Sequence, residues 1–169
     1  MRERQASQGA RRAREFEAFV AGAAGRLLHA ATLLTAESPN DNPRARRLLT
    51  ASLAHTYASW GRLRGEDPYD RTRQQLAVRF ARGAWHQYGA LSWLHPRGGP
   101  DTGGVLHRLT PQERLVLVLR YFEGVAEEQT AALLGLPLER VRAIGARATA
   151  NLLHPPREAA PAVAKVVPS

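Results

Sequence analysis

The sequence predicts an all-α protein made of two small helical domains. Three observations carry that expectation. Apolar residues recur at three- and four-residue intervals along each long stretch. The stretches begin at Asn-Pro, Asp-Pro and Thr-Pro pairs, and glycines mark their ends. A Pro/Gly-rich run, HPRGGPDTGG from His95 to Gly104, divides the chain. With 169 residues there is room for one domain or two small ones.

In chain order, residues 1–14 form a basic polar tail carrying Arg2, Arg4, Arg11, Arg12 and Arg14. It reads as a solubilising arm that either frays or extends the next helix. From Glu15 to Leu34, residues Phe16, Phe19, Val20, Ala23, Leu27, Ala31 and Leu34 share one helical face. Gly22 and Gly25 weaken this helix locally, and their small size suits close approach of a neighbour. TAESPNDNP is a loop by composition. Asn42 as N-cap and Pro43 as first residue start a second helix that runs to about Trp60. Its buried side is expected to be Ala45, Leu48, Leu49, Leu53, Tyr57 and Trp60. Asp67-Pro68 opens a third helix to about His86, with Tyr69, Leu76, Ala77, Phe80 and Ala84 as its apolar face.

After the linker, assigned to residues 95–107, the C-terminal domain spans 108–154. Thr110 and Glu113 form a capping box around Pro111, and Leu115, Val116, Leu119 and Phe122 follow at helical spacing before Gly124. A short helix from about Ala126 to Leu134 carries Glu127 and Glu128 in its first turn, where the helix dipole favours negative charge. Ala131, then Gly135 four residues on, then Val141 after six more, is helix-turn-helix spacing. In that motif the second helix enters the DNA major groove. A plain helical hairpin ending in Gly produces the same spacing. The arginines on the last helix separate the two readings: Arg140, Arg142 and Arg147 lie mostly away from Val141, Ile144 and Ala148, with Glu139 moderating their charge. Residues 155–169, PPREAAPAVAKVVPS, read as a disordered tail.

Composition narrows the function. Lys+Arg number 24 against 15 Asp+Glu, a formal net charge of +9. That balance favours polyanions without distinguishing nucleic acid from an anionic membrane. There is no cysteine, which removes disulfides and thiolate zinc sites and fits a reducing cytoplasm. No signal sequence and no uninterrupted apolar run of membrane-spanning length is apparent, so no membrane partner is expected. The six histidines are scattered without metal-ligand spacing, and the Gly-rich segment matches neither a Walker loop nor a dinucleotide fingerprint. No catalytic residue, metal or cofactor is expected, and the chain does not read as an enzyme. On the third helix, Arg79 and Arg82 interleave with glutamines and with Trp85 and Tyr88. That pattern suits a nucleic-acid backbone with an unpaired base stacked on an aromatic ring. For Trp85, Tyr88 and Trp93 a core role is equally open.

The organisation resembles the small two-domain sigma factors of bacteria, the extracytoplasmic-function type of the sigma-70 family, in an actinobacterial subgroup. The resemblance covers most of residues 15–154. FEAFV…RLLHAATLLT is similar to the opening helix of the promoter-melting domain, and ASLAHTYASWGRLR to its second helix. LTPQERLVLVLRYFEG…AALLGLPLERVR is similar to the domain that reads the −35 element. The resemblance implies a region 2-like domain over 15–94 and a region 4-like domain over 108–154. It implies promoter DNA and core RNA polymerase as partners, an anti-sigma factor as a further one, and a cytoplasmic location. Arg140, Arg142, Arg147 and Glu139 would meet the −35 major groove, and Arg79, Arg82 and Trp85 the −10 strand.

Three departures from the family pattern bear on this expectation. Where the family's second helix carries an acidic pair, an aliphatic pair and Gln to bind the polymerase clamp, this chain has Arg46, Arg47, Leu48, Leu49 and Thr50. Reversing charge at a docking surface converts attraction into repulsion. The asparagine usual in the −10-reading helix has no counterpart that can be placed. Ala143, Ile144 and Gly145 replace more polar or bulky residues of the recognition helix, and the linker is short. Two alternatives to a promoter-directing sigma factor therefore stand: a degenerate sigma-like DNA-binding regulator without normal polymerase docking, or a protein-interaction module.

Overall fold

The computed structural model describes residues 2–63, 65–92 and 104–154, with side chains from Gln5 onward and, on the third helix, as far as Ala84. The helices are α1 (Arg2–Thr35), α2 (Pro43–Ser59), α3 (Pro68–Ser92), α4 (Pro111–Leu117), α5 (Glu127–Leu134) and α6 (Leu138–Leu153). A 3₁₀ turn, Trp60–Arg62, closes α2, and another, Val105–Arg108, precedes α4. No β-strand forms among the described residues. Residues 95–103 of the expected linker, the expected tail 155–169 and Trp93 lie outside the described residues, as do the side chains of Trp85 and Tyr88.

The basic N-terminal stretch is helical and continuous with α1. Phe16 in α1 packs on Tyr57 and Trp60 with ring centroids 4.8 and 5.2 Å apart, and Arg12 lies over the Tyr57 ring. By length and mean hydropathy alone α1 could cross a bilayer, although Arg26 interrupts its apolar run; a third of that window is buried within the protein. Gly22 and Gly25 do not serve close packing, because a Cβ at either would have no neighbour within 4 Å.

α2 starts at Pro43 as expected, but Asn42 does not cap it with its side chain. The cap is Glu37, whose carboxylate accepts from the Arg44 amide at 3.0 Å and the Ala45 amide at 2.7 Å. Burial alone would raise the Glu37 pKa. The two amides, the Arg44 guanidinium and the Thr35 hydroxyl overcome that and lower it. Asn42 instead turns inward, its Nδ2 donating to Thr32 Oγ1 at 3.0 Å.

The N-terminal core is built from Leu27, Ala31, Ala45, Leu49 and Leu76. Where α2 meets α3 the buried line is polar and small: Ser52, Thr56 and Thr72. The Thr56 and Thr72 hydroxyls lie 2.9 Å apart, and Ser52 and Thr72 each donate to a carbonyl one turn back. These hydroxyls are satisfied, so small residues let the helices approach without orphaned groups.

In the C-terminal half the capping box forms as read: Glu113 N donates to Thr110 Oγ1 and Thr110 N to Glu113 Oε2. α4 then runs into a π-helical turn, Val118–Phe122, that nothing local signals. Glu123 N bonds Val118 O at 2.9 Å across this wide turn. One extra residue in a turn rotates the next side chains by about 100°. The Glu123 side chain ends up buried, only 1% exposed, toward α1 and α3. Gly124 and Gly135 take the positive φ values, 67° and 64°, that end their segments. Val116, Ala131, Val141 and Ile144 form the core of this half.

The two halves do not stand apart. Ala30 and Leu34 of α1 and Ala77 of α3 share one core with Leu115, Val118, Leu119 and Val125. Polar contacts reinforce it: buried Arg114 donates from Nε to Leu34 O at 2.9 Å, and Arg26 to Phe122 O at 2.8 Å. The two halves are thus closed on each other through this shared core.

Candidate nucleic-acid interface

The helix-turn-helix is formed by α5 and α6. Leu136 N bonds Ala131 O at 3.0 Å and Gly135 N bonds Ala132 O, a left-handed glycine stop that turns the chain sharply. Val141, Ile144, Gly145 and Ala148 face inward from α6. The opposite side, with Arg140, Arg142, Ala143, Ala146, Arg147 and Ala150, is exposed. Its short side chains leave the arginines as the reaching groups.

The three arginines differ in their surroundings. Arg140 is exposed and makes no ion pair among the described residues. Arg142 is 49% exposed and holds Glu127 at 2.8 Å and Glu139 at 2.7 Å. The Glu127 hydrogen bond, then the charges of Glu139 and Glu127, raise the Arg142 pKa; the Arg142 hydrogen bond lowers that of Glu127. Arg147 is 51% exposed, and its Nε donates to Glu113 Oε1 at 2.8 Å. Glu113 itself is buried, so one carboxylate closes the α4 capping box and anchors α6. Arg147 therefore sets the angle of α6 as well as adding charge to its face.

Across the closed interface lies a second polar cluster. The Tyr69 hydroxyl donates to both Glu123 oxygens, at 2.9 and 3.0 Å. Arg26 Nε and Arg73 Nη1 approach the same carboxylate at 3.6 and 3.7 Å. Phe122 stacks on His29 with centroids 4.9 Å apart, and Arg26 covers the same ring. Burial, then the Glu123 hydrogen bond and charge, push the Tyr69 pKa up to about 12. The sequence offered no sign of this cluster, because its members come from three separate parts of the chain.

Residues 105–154 match the family model for sigma-70, region 4. Over 153 residues, 82% of this chain, the sequence is 29% identical to the RNA polymerase sigma-E factor of Streptomyces coelicolor, covering 84% of that protein. The corresponding factor of Streptomyces avermitilis is 28% identical over 82% of this chain and 83% of its own length. The match thus places a sigma-70 region 4 in the C-terminal half, and the chain as a whole is similar to sigma-E factors. No solved structure matches it.

α2 carries the face read from the sequence as polymerase-docking. Arg46, Arg47 and Thr50 are exposed. Leu49 is not: it is 7% exposed and packs with Leu27, Ala31 and Leu76, so it supports the helix from inside. Arg46 Nε donates to Asn42 Oδ1 at 2.9 Å, and Arg44 pairs with Glu37. Arg79 and Arg82 project from the exposed side of α3. They share a helix with Trp85 but lie on a different element from the α6 arginines. No group of three or more acidic or histidine side chains that could hold a metal occurs among the described residues.

Proposed function

We propose that this protein directs RNA polymerase to promoters as an extracytoplasmic-function sigma factor in the cytoplasm. α6 reads the −35 element in the major groove, and the N-terminal half engages the −10 strand. The observation that carries this reading is the exposed side of α6 within the region 4 match, where Arg140, Arg142 and Arg147 stand among alanines. Arginine forks bind guanine edges and phosphates. Of the carboxylates on Arg142, Glu139 is exposed and Glu127 partly so, and such solvent-accessible pairs are screened by salt and exchangeable for a phosphate. Run-off transcription with purified core polymerase on genomic fragments tests the reading: a discrete start dependent on this protein is expected. No polymerase binding and no start would remove it.

A second reading is favoured by one feature, the cationic surface at Arg46 and Arg47. Under it the protein is a sigma-like DNA-binding regulator that has lost ordinary polymerase docking. Arg46→Glu with Arg47→Asp then creates or strengthens core binding. Tight core binding by the native chain excludes this reading.

A further inference from the structure

A groove of about 450 Å³ opens beside the last turn of α6. Leu33, Leu106, Leu117, Tyr121 and Leu152 are among its walls, and no charged side chain lines it. It is continuous with the C-terminal core, because Leu117 is buried with Leu109 and Ala148, and Leu106 and Leu152 pack against them. The large apolar residues left exposed among the described residues are Val105, Tyr121 and Leu153. Tyr121 lines the groove, and Val105 and Leu153 each adjoin in sequence a residue that does. Exposed apolar surface converging on one concavity marks a place that another apolar group covers.

The chain itself continues from this point. α6 ends at Leu153, and His154 leaves the helix with φ −131° and ψ 72°. PPREAAPAVAKVVPS follows, and Pro155 and Pro156 cannot extend α6. Its charged pair, Arg157 and Glu158, comes early; its valines, at 163, 166 and 167, come late. We propose that residues 162–167 of this tail occupy the groove, with the valines resting on Leu117, Tyr121 and Leu152. Residues 155–161 reach about 23 Å when extended, whereas Thr149 to Leu153 cover only about 6 Å of α6. The tail therefore has the length to double back along the helix it leaves. Pro161 and Pro168 bracket the docking stretch. At the three residues per turn of a polyproline helix, Val163 and Val166 share an edge, and Lys165 falls off it toward water. A short tether presents the valines at an effective concentration on the order of millimolar, so a contact too weak between separate molecules is held within one chain. A polyanion finds no cation in this lining. The inference does not depend on which DNA element α6 reads.

The test uses paired thiols in the full chain, which has no cysteine of its own. Thr149→Cys puts one thiol in the groove lining and Lys165→Cys the other in the tail. A control joins Lys165→Cys to Ala150→Cys, one residue along α6 and exposed. Under mild oxidation the 149–165 pair should close an intramolecular disulfide roughly tenfold faster than the 150–165 pair, read by peptide mapping of the monomer. Val163→Asp with Val166→Asp should remove that advantage, and Tyr121→Ser should reduce it from the groove side. Tyr121 is 69% exposed, so its replacement leaves the fold in place. Equal rates for the two pairs, or a 149–165 rate that the two aspartates leave unchanged, would mean a tail that does not dock and would overturn the proposal. Disulfides formed chiefly between molecules overturn it in favour of a second copy seated on the groove.

Discussion

Replacing Tyr69 by Phe should loosen the closed arrangement without dismantling either half. The ring stays, and with it the packing of Tyr69 beside the N-terminal core. What is lost is the hydroxyl that donates to both oxygens of buried Glu123. A hydrogen bond to a charged acceptor contributes about 1.5–3 kcal/mol. Tyr69 is only half-buried, so the lower end applies, about 1.5 kcal/mol, or roughly tenfold in the opening equilibrium. The chain has no cysteine, so a single engineered thiol reports opening cleanly. Ala77→Cys lies in the shared core and reacts only when the halves part; Ser52→Cys lies inside the N-terminal half. With Tyr69→Phe, thiol labelling at position 77 should accelerate about tenfold and labelling at 52 should change little. Equal acceleration at both sites, or none at 77, would refute the latch. The pH dependence has a definite sign. The Tyr69 pKa is raised in the folded chain to about 12, so its contribution is complete below about pH 10 and lost as pH rises through 12.

Other perturbations address single elements. Gly145→Ala should stabilise α6 by about 0.5–1 kcal/mol, read as a higher melting temperature, since the new Cβ meets only Val116 Cγ1 at an ordinary 3.8 Å. Glu37→Ala should cost about 1–2 kcal/mol by removing the α2 cap, measured by urea unfolding. Because the Glu37 pKa is lowered in the fold, the wild-type advantage should be full above about pH 4.5 and vanish as pH falls through the depressed value. Arg140→Ala should weaken −35 duplex binding by about 1–3 kcal/mol without altering the melt, read by gel shift at fixed salt.

The elements that sequence made legible are those whose cause is local. Thr110 and Glu113 are three residues apart, and Ala131, Gly135 and Val141 lie close together in the chain, so capping box and helix-turn-helix could be read directly. The cap of α2 was not legible, because Glu37 reaches Pro43's helix across a loop that holds Asn42, the residue a local rule prefers. The buried Ser52, Thr56 and Thr72 were passed over because hydroxyl residues look like surface until a partner helix satisfies them. The π-helical turn has no composition of its own, yet it aims Glu123 at Tyr69, Arg26 and Arg73. On the interface, the α6 arginines were legible as a set, while the pairing of Arg147 with a buried capping glutamate depends on a contact 34 residues distant.

The closed arrangement and promoter reading make incompatible demands on length. By their names the −35 and −10 elements are centred about 25 base pairs apart, which at about 3.4 Å per pair is about 85 Å of duplex. α3 and α6 both pack against α4, and with 25 and 16 residues they are about 38 and 24 Å long. Even end to end they do not cover the distance. Residues 93–103, fully extended, add at most about 40 Å. That reach becomes usable only when Leu34 and Ala77 release Leu115 and Leu119. A chain reading both elements at once must therefore open, and the Tyr69–Glu123 contact opposes that opening. The thiol at Ala77→Cys, sealed in the free protein, should become reactive when core polymerase and promoter are added together. Full protection of that thiol in a complex actively initiating transcription would mean that the halves stay closed and that one of the two elements is read by something else.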